Sequence, residues 1–314
     1  MKIAFQSYQL DTRGSCVATY DYAHYNETLL KNISIIVVDE NGKNEGIAIR
    51  KFTSRFPVYF YKTKEELHSI LKHEQCDVLY IIKYGKNDKL YFNDIKTVIH
   101  CVFDLSEPHG DVYAGVSENL ANKFGWPVFV PHMVGLKPSQ DGRNLRQKLN
   151  IPEEAIVFGR HGGLDTFDLE MAFYAIKRII ENREDIYFVF IGTQQFCKHP
   201  RIIYLNPIIT SSEKNEFICT CDAMIHAQSL GETFGLSIAE FSVNNKPIIT
   251  YGGWTWNDTH KKILGDKALY YNNEDELYQI FNTFKPDKYE GTDLNCYREF
   301  SPEKVMEQFK KVFL

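Results

Sequence analysis

The feature that most constrains this chain is an alternation of strand-like and helix-like segments that runs almost from end to end. Short apolar strands are each followed by a segment with helical spacing, which is the pattern of a parallel α/β sheet. The alternation is interrupted by the polar segment 135–150, which contains Gly and Pro, and begins again at Ala155. The sequence therefore predicts two facing Rossmann-like domains, with ligands bound beyond the carboxyl ends of the strands.

This pattern also predicts the boundaries of the domains. We expect an N-terminal domain over residues 1–137, a C-terminal domain over 138–300 and a closing helix within 301–314. Predicted strands of the first half lie at 3–5, 33–38, 58–61, 78–82, 98–103, 112–116 and 127–131. In the second half, a long helix is expected from Asp165 to about Arg183. The closing helix, 302–313, carries an apolar stripe that must be buried.

Composition narrows the class of protein. With 314 residues, 44% of them hydrophobic and 25% charged, the chain is typical of a globular protein with two domains. Its 36 basic and 41 acidic residues give a net charge of −5 without any block of like charge, which argues against a nucleic-acid partner. Seven scattered cysteines, an odd number without a C-x-x-C pair, indicate reduced thiols rather than disulfides or a zinc site. We predict a cytoplasmic protein without a signal peptide or transmembrane segment.

The segment 231–240 (GETFGLSIAE) is the first candidate for chemistry. Gly235 directly precedes a predicted helix, whose first N–H groups, at Leu236 and Ser237, form a ready anion site. Glu232 precedes this turn and Glu240 lies one turn inside the helix, so that two carboxylates flank the amides. The spacing of eight residues means nothing by itself, because the glutamates at 66 and 74 share it. The alternative is an ordinary strand-to-helix turn with two solvated acids.

The wider segment 222–240, followed by 245–250 (NKPIIT), resembles the nucleotide-sugar site of retaining glycosyltransferases of the GT-B fold. Family 4, with its E-x7-E signature, is the most similar family. The resemblance covers most of the second half, through segments 158–160, 190–192 and 204–207. It is weaker in the first half, where it depends on Arg13-Gly14, Ile99-His100 and the segment 115–118.

The resemblance implies a role for each matching residue. Glu240 would accept hydrogen bonds from the ribose of the donor, and Glu232 would contact the donor sugar. Arg160 would pair with the diphosphate, for which a forked guanidinium is suited. The remaining donor contacts would come from the amides at Phe234, Gly235 and Leu236, for sugar and diphosphate, and from Asn206, Pro207 and Ile208, which would border the base.

The chain departs from the family at one position. A lysine commonly follows the arginine by about five residues in the family, but Asp165 occupies that position here. Either Arg160 and the helix N-terminus suffice for the diphosphate, or a histidine, His161 or His226, contributes.

Candidates in the first half have two interpretations each. Gly14, with Arg13, lies in a strand-to-helix loop and matches the glycine-rich loop of the family, although an ordinary turn has the same composition. His100 ends a predicted strand and matches a histidine near the donor sugar, but a histidine at a strand end is often a satisfied structural residue. A further candidate is His109, in a loop of the predicted cleft between the domains. Trp254 and Trp256 follow a strand end, where they either stack on a base or sugar or pack against the protein.

We therefore predict a retaining glycosyltransferase that moves a sugar from a nucleotide-diphosphate sugar to a hydroxyl group of a glycan, a lipid-linked acceptor or a small molecule. No cofactor or metal is expected, because the chain has no D-x-D motif and helix amides with Arg160 can stabilise the leaving diphosphate. The resemblance also implies that the closing helix crosses back onto the N-terminal domain. The alternatives are a nucleotide-sugar epimerase of this fold and a silent carbohydrate-binding or scaffold protein, which the missing lysine would suit. A dehydrogenase is disfavoured because no G-x-G-x-x-G is present.

Overall fold

A computed structural model describes residues 1–208 and 210–314. The chain forms two compact units: Met1–Gly135 together with Phe300–Leu314, and Leu136–Glu299. Strands and helices are numbered in chain order. Up to residue 135 they are β1 (Lys2–Ser7), α1 (Gly14–Thr28), β2 (Ile33–Asp39), α2 (Gly46–Thr53), β3 (Val58–Tyr61), α3 (Lys64–His73), β4 (Val78–Lys83), β5 (Lys96–Cys101), β6 (Val112–Gly115) and α4 (Glu118–Lys123). Those that follow are β7 (Ile156–His161), α5 (Glu170–Asn182), β8 (Ile186–Ile191), β9 (Ile202–Leu205), α6 (Ser211–Thr220), β10 (Ala223–His226), β11 (Gly231–Glu232), α7 (Leu236–Val243), β12 (Ile248–Tyr251), β13 (Asn257–Asp258), α8 (Thr259–Leu264), β14 (Leu269–Tyr271), α9 (Glu274–Thr283) and α10 (Pro302–Phe313).

Each unit is built on a parallel sheet of six strands. The order is β3-β2-β1-β4-β5-β6 in the first unit and β14-β12-β10-β7-β8-β9 in the second. When the strands of the second sheet are counted along the chain, the two orders are the same, and this is the order of a Rossmann sheet. Many strand residues are buried, as is typical of a parallel sheet with both faces covered by helices; all six residues of β4, for example, are buried. The predicted pair of Rossmann-like domains is confirmed.

The closing helix α10 packs within the first unit. Ser301 caps it and Pro302 opens it, and its apolar stripe is buried. Phe309 stacks on Tyr22 with the ring centroids 5.2 Å apart and contacts Tyr80 at the same distance. The predicted return of this helix to the N-terminal domain is confirmed.

The polar segment after residue 135 is anchored in the second unit. Arg146 is buried, and its Nη1 donates to the backbone oxygens of Pro152, Glu153 and Ala155. Its Nη2 donates to Asp222 Oδ2 over 2.9 Å, and the same oxygen accepts the backbone N–H of Val157 over 2.7 Å. This arginine therefore ties the connecting segment to the first strand of the second sheet.

Several elements differ from the prediction. Segment 127–131 is not a strand but makes a single bridge, Gly115 with Phe129, because the prolines at both of its ends lack an N–H for the ladder. Helix α5 begins at Glu170 rather than Asp165, since Asp168 is held in the preceding loop by Ser229, whose backbone N–H donates to Oδ1 over 2.8 Å. Helix α2 was not predicted; it is short and buries only Ala48 and Phe52.

Two further features of the chain are its lengths of apolar helix and the state of its cysteines. Within residues 1–208 and 210–314, no helix combines the length and the apolar run that crossing a bilayer requires. All seven cysteines lie in these ranges as unpaired thiols.

Candidate functional site

The carboxyl ends of the parallel strands in the second unit bring the predicted site residues to one edge of the sheet. Strand β7 ends with Arg160 and His161, and β10 ends with His226. Asn206 follows β9, and Glu232 follows β10 within the short strand β11. Because all these strands run in parallel, the loops that follow them share the edge at which α/β sheets bind ligands.

The loop between β10 and α7 depends on two glycines with positive φ. Gly231 has φ +67°, and a Cβ there would lie 1.8 Å from the Asn257 backbone oxygen of the paired strand β13. Gly235 has φ +85° and caps α7 in a left-handed conformation that favours glycine. The first helical bond of α7 is donated by Ala239 N–H to Gly235 O, so the N–H groups of Leu236 and Ser237 have no helical acceptor. The two amides for which the sequence predicts an anion site therefore lie at the start of α7 without helical acceptors.

A hydrogen bond from Tyr297 also fixes the loop between β10 and α7. Phe234 is buried, and its backbone oxygen accepts a hydrogen bond of 2.9 Å from the hydroxyl of Tyr297. The residue before the helix cap therefore cannot turn without breaking this bond, which holds the amides that follow it in place.

Glu232 lies beside a buried histidine. Its side chain is 25% exposed, and Oε1 lies 3.3 Å from His226 Nε2. His226 and Thr250 are register partners on adjacent strands, and His226 Nδ1 lies 2.9 Å from Thr250 Oγ1. The imidazole therefore carries its proton on Nε2 toward Glu232 when Nδ1 accepts from the threonine hydroxyl. His260 packs against His226 with the ring centroids 5.0 Å apart, and burial holds the pKa of His260 well below its usual value.

Glu240 is the most enclosed acid of the site. Its side chain is 8% exposed; Oε1 accepts a hydrogen bond of 2.5 Å from Lys214 Nζ, and Oε2 lies 3.0 Å from His161 Nε2. The imidazole of His161 is not well aligned with that oxygen. Burial by itself raises the pKa of Glu240, but the charge of Lys214 and the contact with His161 outweigh it and lower the pKa to about 2. Burial lowers the pKa of His161, so its ring is neutral at pH 7.

Arg160 is buried and bonded to two loops. Nη1 donates to Gly192 O over 2.7 Å and to Thr193 Oγ1, and Nη2 donates to Gly163 O over 2.9 Å and to Thr166 Oγ1 over 2.5 Å. Burial lowers the pKa of Arg160 to about 10, so the guanidinium is charged at pH 7. All four terminal N–H directions of this guanidinium point to protein oxygens, and the arginine ties the loop after β7 to the loop after β8.

The other predicted residues of the second unit lie at its surface. Asp165 is exposed on the loop that Arg160 holds, and its charge, with that of Glu232, offsets part of the lowering of the Arg160 pKa by burial. Asn206 and Pro207 are exposed and Ile208 is half-buried, which is what a segment bordering a ligand requires. Trp254 is 79% exposed, with its ring centroid 6.4 Å from that of Trp256, so the packing interpretation does not hold for it.

Arg13 and Gly14 belong to the first unit. Arg13 occupies the cap position of α1, and its backbone N–H donates to Asp11 Oδ1 over 2.9 Å. Its Nε lies 3.8 Å from Asp11 Oδ2 while more than half of the side chain is exposed. Gly14 is the first residue of α1, so the predicted strand-to-helix loop is present with its glycine at the helix start.

His100 also belongs to the first unit, and it is completely buried. Nδ1 lies 2.6 Å from the Tyr80 hydroxyl and Nε2 lies 2.7 Å from Val130 O, so both ring nitrogens are engaged inside the protein. Burial lowers the pKa of His100 to about 4. This is the geometry of a satisfied structural histidine, the second of the two interpretations given above.

His109 forms part of a separate buried cluster. Its Nδ1 lies 2.6 Å from Glu107 O and its Nε2 lies 3.2 Å from Lys83 Nζ. Lys83 in turn donates to Asp88 Oδ1 over 2.5 Å. Both histidine nitrogens and the lysine charge are thus satisfied within the first unit.

No group of three or more His, Cys, Asp or Glu side chains arranged to hold a metal ion occurs within residues 1–208 and 210–314. The charged side chains of this site include the carboxylates of Glu232 and Glu240, the Arg160 guanidinium and the Lys214 ammonium.

Sequence reasoning missed Lys214 and the two threonines that bond Arg160. Lys214 is 26 residues from Glu240, and no local spacing connects the two. Thr166 and Thr193 lie in glycine-containing loops after strands, and that position was the only signal available.

The fold is shared with solved structures. The chain is similar to HepE of Anabaena in complex with UDP-glucose, with a TM-score of 0.76 and 14% identity over 99% of this chain and 98% of that one. A glycosyltransferase from Rickettsia africae ESF-5 matches with a TM-score of 0.66 and 14% identity, over 99% and 94% of the two chains. A proposed UDP-N-acetylglucosamine 2-epimerase from Listeria monocytogenes matches with a TM-score of 0.62 and 12% identity, over 98% and 94%.

No protein-family model matches the chain, and no curated protein matches its sequence. At 10–14% identity the likeness to solved structures establishes the fold. The chain has the GT-B architecture of two Rossmann-like domains, as the sequence predicts.

Proposed function

We propose that the protein is a retaining glycosyltransferase that moves a sugar from a nucleotide-diphosphate sugar to a hydroxyl acceptor. The observation that carries this proposal is the segment 231–240, in which Glu232 and Glu240 flank the N-terminal amides of α7 at the carboxyl edge of a parallel sheet. The fold match to HepE, solved with UDP-glucose and with UDP, supports a uridine diphosphate sugar as the donor.

The proposed donor contacts follow the charges of the ligand. The amides around Gly235 hold the diphosphate, which a helix N-terminus favours. Glu240 accepts hydrogen bonds from the ribose hydroxyls, and Glu232 accepts them from the sugar. His226 fixes the Glu232 carboxylate, and the segment 206–208 borders the base.

Arg160 takes a different part in this proposal from the one the family resemblance implies. Its four bonds to protein oxygens make it a positioning residue, which shapes the loops after β7 and β8 and adds a positive charge beneath them. Direct pairing with a diphosphate requires that some of these bonds break. The amides of α7 therefore carry the main share of diphosphate recognition.

In the proposed reaction the bond between the anomeric carbon and the β-phosphate oxygen breaks, and a bond to the acceptor oxygen forms on the same face of the sugar. The acceptor hydroxyl loses its proton to the departing phosphate oxygen. Charge grows on the diphosphate as it leaves, and preorganised amides stabilise that charge more than the charge of the ground state.

The experiment that tests the proposal is titration calorimetry with UDP, other nucleoside diphosphates and their sugars. We expect UDP to bind the wild-type protein. Glu240→Gln should weaken binding by about 1–1.5 kcal/mol for each ribose hydrogen bond, because a bond to a charged acceptor, worth roughly 1.5–3 kcal/mol, becomes a neutral one, worth roughly 0.5–1.5 kcal/mol. Glu307→Gln is the matched control. Glu307 follows Glu299 by eight residues, the spacing that separates Glu232 and Glu240, but it lies exposed on α10. Failure of every nucleoside diphosphate and nucleotide sugar to bind the folded protein would refute the proposal.

Metal independence is a further part of the proposal, supported by the charge that Arg160 and the α7 amides provide. Glycosyl transfer should continue after treatment with EDTA. Loss of turnover that magnesium or manganese restores would contradict this part.

We also propose a cytoplasmic location, which the seven unpaired thiols support, and a glycan, lipid-linked or small-molecule acceptor.

A second candidate function is epimerisation of a nucleotide sugar, which the fold match to the Listeria protein favours. The two functions differ in their need for an acceptor. Incubation of the protein with a UDP-sugar alone, followed by chromatography, would yield an interconverted sugar nucleotide in the case of an epimerase. A glycosyltransferase leaves the configuration of the remaining donor unchanged.

A further inference from the structure

Two basic side chains from different elements meet on one buried carboxylate in the second unit. Lys214 lies on α6, Glu240 on α7, and His161 at the end of β7. The side chains are 12%, 8% and 10% exposed, respectively. A carboxylate buried to this degree is stable in its charged form only if it is paired, so the contact with Lys214 is a requirement of the fold around Glu240.

The position of α6 connects this ion pair to the rest of the proposed nucleotide site. Thr210 caps α6 through a capping box with Glu213, so the helix starts only a few residues after the segment 206–208. Lys214 lies in the first turn of this helix. The ion pair therefore joins the helix that follows the proposed base-bordering segment to the helix that carries the proposed ribose ligand.

The Glu240 carboxylate has more acceptor directions than Lys214 occupies. An ionised carboxylate has about four lone-pair directions. Lys214 takes one on Oε1, whereas His161 Nε2 lies 3.0 Å from Oε2 without a well-aligned hydrogen bond, so each oxygen retains at least one. One direction on each oxygen is enough for the two donors of the 2′,3′-diol of a ribose.

We infer that Lys214 is a positioning residue of the nucleotide site, which fixes the ionised Glu240 carboxylate so that its remaining lone pairs accept both hydroxyls of a ribose. The inference rests on the proposed function and adds to it a residue that the sequence did not indicate. It makes the site selective for ribonucleotides, and it makes that selectivity depend on Lys214. A merely structural role for Lys214 would change the affinity for every nucleotide alike.

The test is calorimetry with UDP and 2′-deoxy-UDP on the full-length protein and on Lys214→Met. Wild type should bind UDP at least tenfold more tightly than the deoxy form, and Lys214→Met should reduce this ratio to below threefold. Lys214→Arg, which keeps the charge, should retain most of the discrimination. Lys267→Met is the matched control, because Lys267 pairs with Asp293 over 3.8 Å at an exposed site, and it should leave the ratio unchanged.

The outcomes separate the inference from the proposed function. If wild type binds UDP and folded Lys214→Met keeps the full discrimination, the inference is wrong and the proposed function stands. If wild type binds neither a nucleoside diphosphate nor a nucleotide sugar, both are wrong. Should Lys214→Met fail to fold, Lys214→Gln, which keeps a neutral donor, replaces it with the same expectation of reduced discrimination.

A thermal-stability cycle tests the pair without any ligand. Lys214→Met should lower the melting temperature more than the double variant with Glu240→Gln does, because the double variant leaves no unpaired buried carboxylate. A melting temperature for Lys214→Met equal to that of Lys267→Met would overturn the inference.

Discussion

Replacement of Arg160 by lysine probes the assignment of this arginine to the loops rather than to a ligand. Its guanidinium donates through Nη1 to Gly192 O and Thr193 Oγ1, and through Nη2 to Gly163 O and Thr166 Oγ1. Lysine places one compact ammonium where the guanidinium presented a planar fork, and the ammonium cannot reach both loops at once. At least two of the four bonds are therefore lost in Arg160→Lys.

The expected cost follows from the number and kind of these bonds. Each hydrogen bond to a charged donor contributes about 1.5–3 kcal/mol net, so the loss of two corresponds to roughly 3–6 kcal/mol. Relaxation of the loops and entry of water offset part of this loss. We expect the free energy of unfolding to fall by about 3–5 kcal/mol, in the range found when one partner of a buried charged contact is removed.

The assay is urea denaturation of the protein without nucleotide, with Arg178→Lys as the matched control. Arg178 contacts Asp275 over 2.6 Å but is 43% exposed, so its replacement should cost less than about 1 kcal/mol. UDP affinity should fall in Arg160→Lys because the loop near the amides is loosened. An unchanged free energy of unfolding combined with a large loss of UDP affinity would refute the reasoning and make Arg160 a direct diphosphate ligand.

Three further predictions concern the cores and the buried titratable groups. Phe309→Ala should lower the free energy of unfolding by about 3–5 kcal/mol in urea denaturation, because the Phe309 ring is fully buried against Tyr22 and Tyr80. UDP binding by the folded variant should persist. A fall in the free energy of unfolding of less than about 1 kcal/mol would contradict the packing of α10. The pKa of Glu240 is about 2 in the folded protein, against an ordinary value of 4.5. The ionised carboxylate therefore stabilises the folded state by about 3 kcal/mol above pH 4.5, and this contribution should disappear as the pH falls to 2. Glu240→Gln should lack this dependence of the free energy of unfolding on acid pH. The pKa of His100 is about 4 in the folded protein, against an ordinary value of 6.5. Between pH 6.5 and 4 the unfolded state binds a proton that the folded state does not, so the free energy of unfolding of the wild type should fall over this range. His100→Gln should not show this fall.

Local features of the sequence determined the elements of this protein. The spacing of apolar residues and the Ser301-Pro302 start define α10, whose predicted and observed bounds agree. The glycine at 235 likewise sets the cap of α7, because a left-handed residue is required there. These features are decided by residues within one or two turns of each other, and two runs of such elements with a polar break were enough to predict two parallel sheets.

Tertiary structure decided the partners of the charged and polar side chains. The sequence gives no reason for Lys214 to meet Glu240, or for the Arg160 fork to close on Gly192, which is 32 residues away. His100 shows the same limit, because only the packing of Tyr80 and Val130 around it distinguishes a buried structural histidine from a ligand-binding one. A buried polar group must satisfy its hydrogen bonds with whatever the fold brings near, and that choice is made by strands and helices distant in the chain.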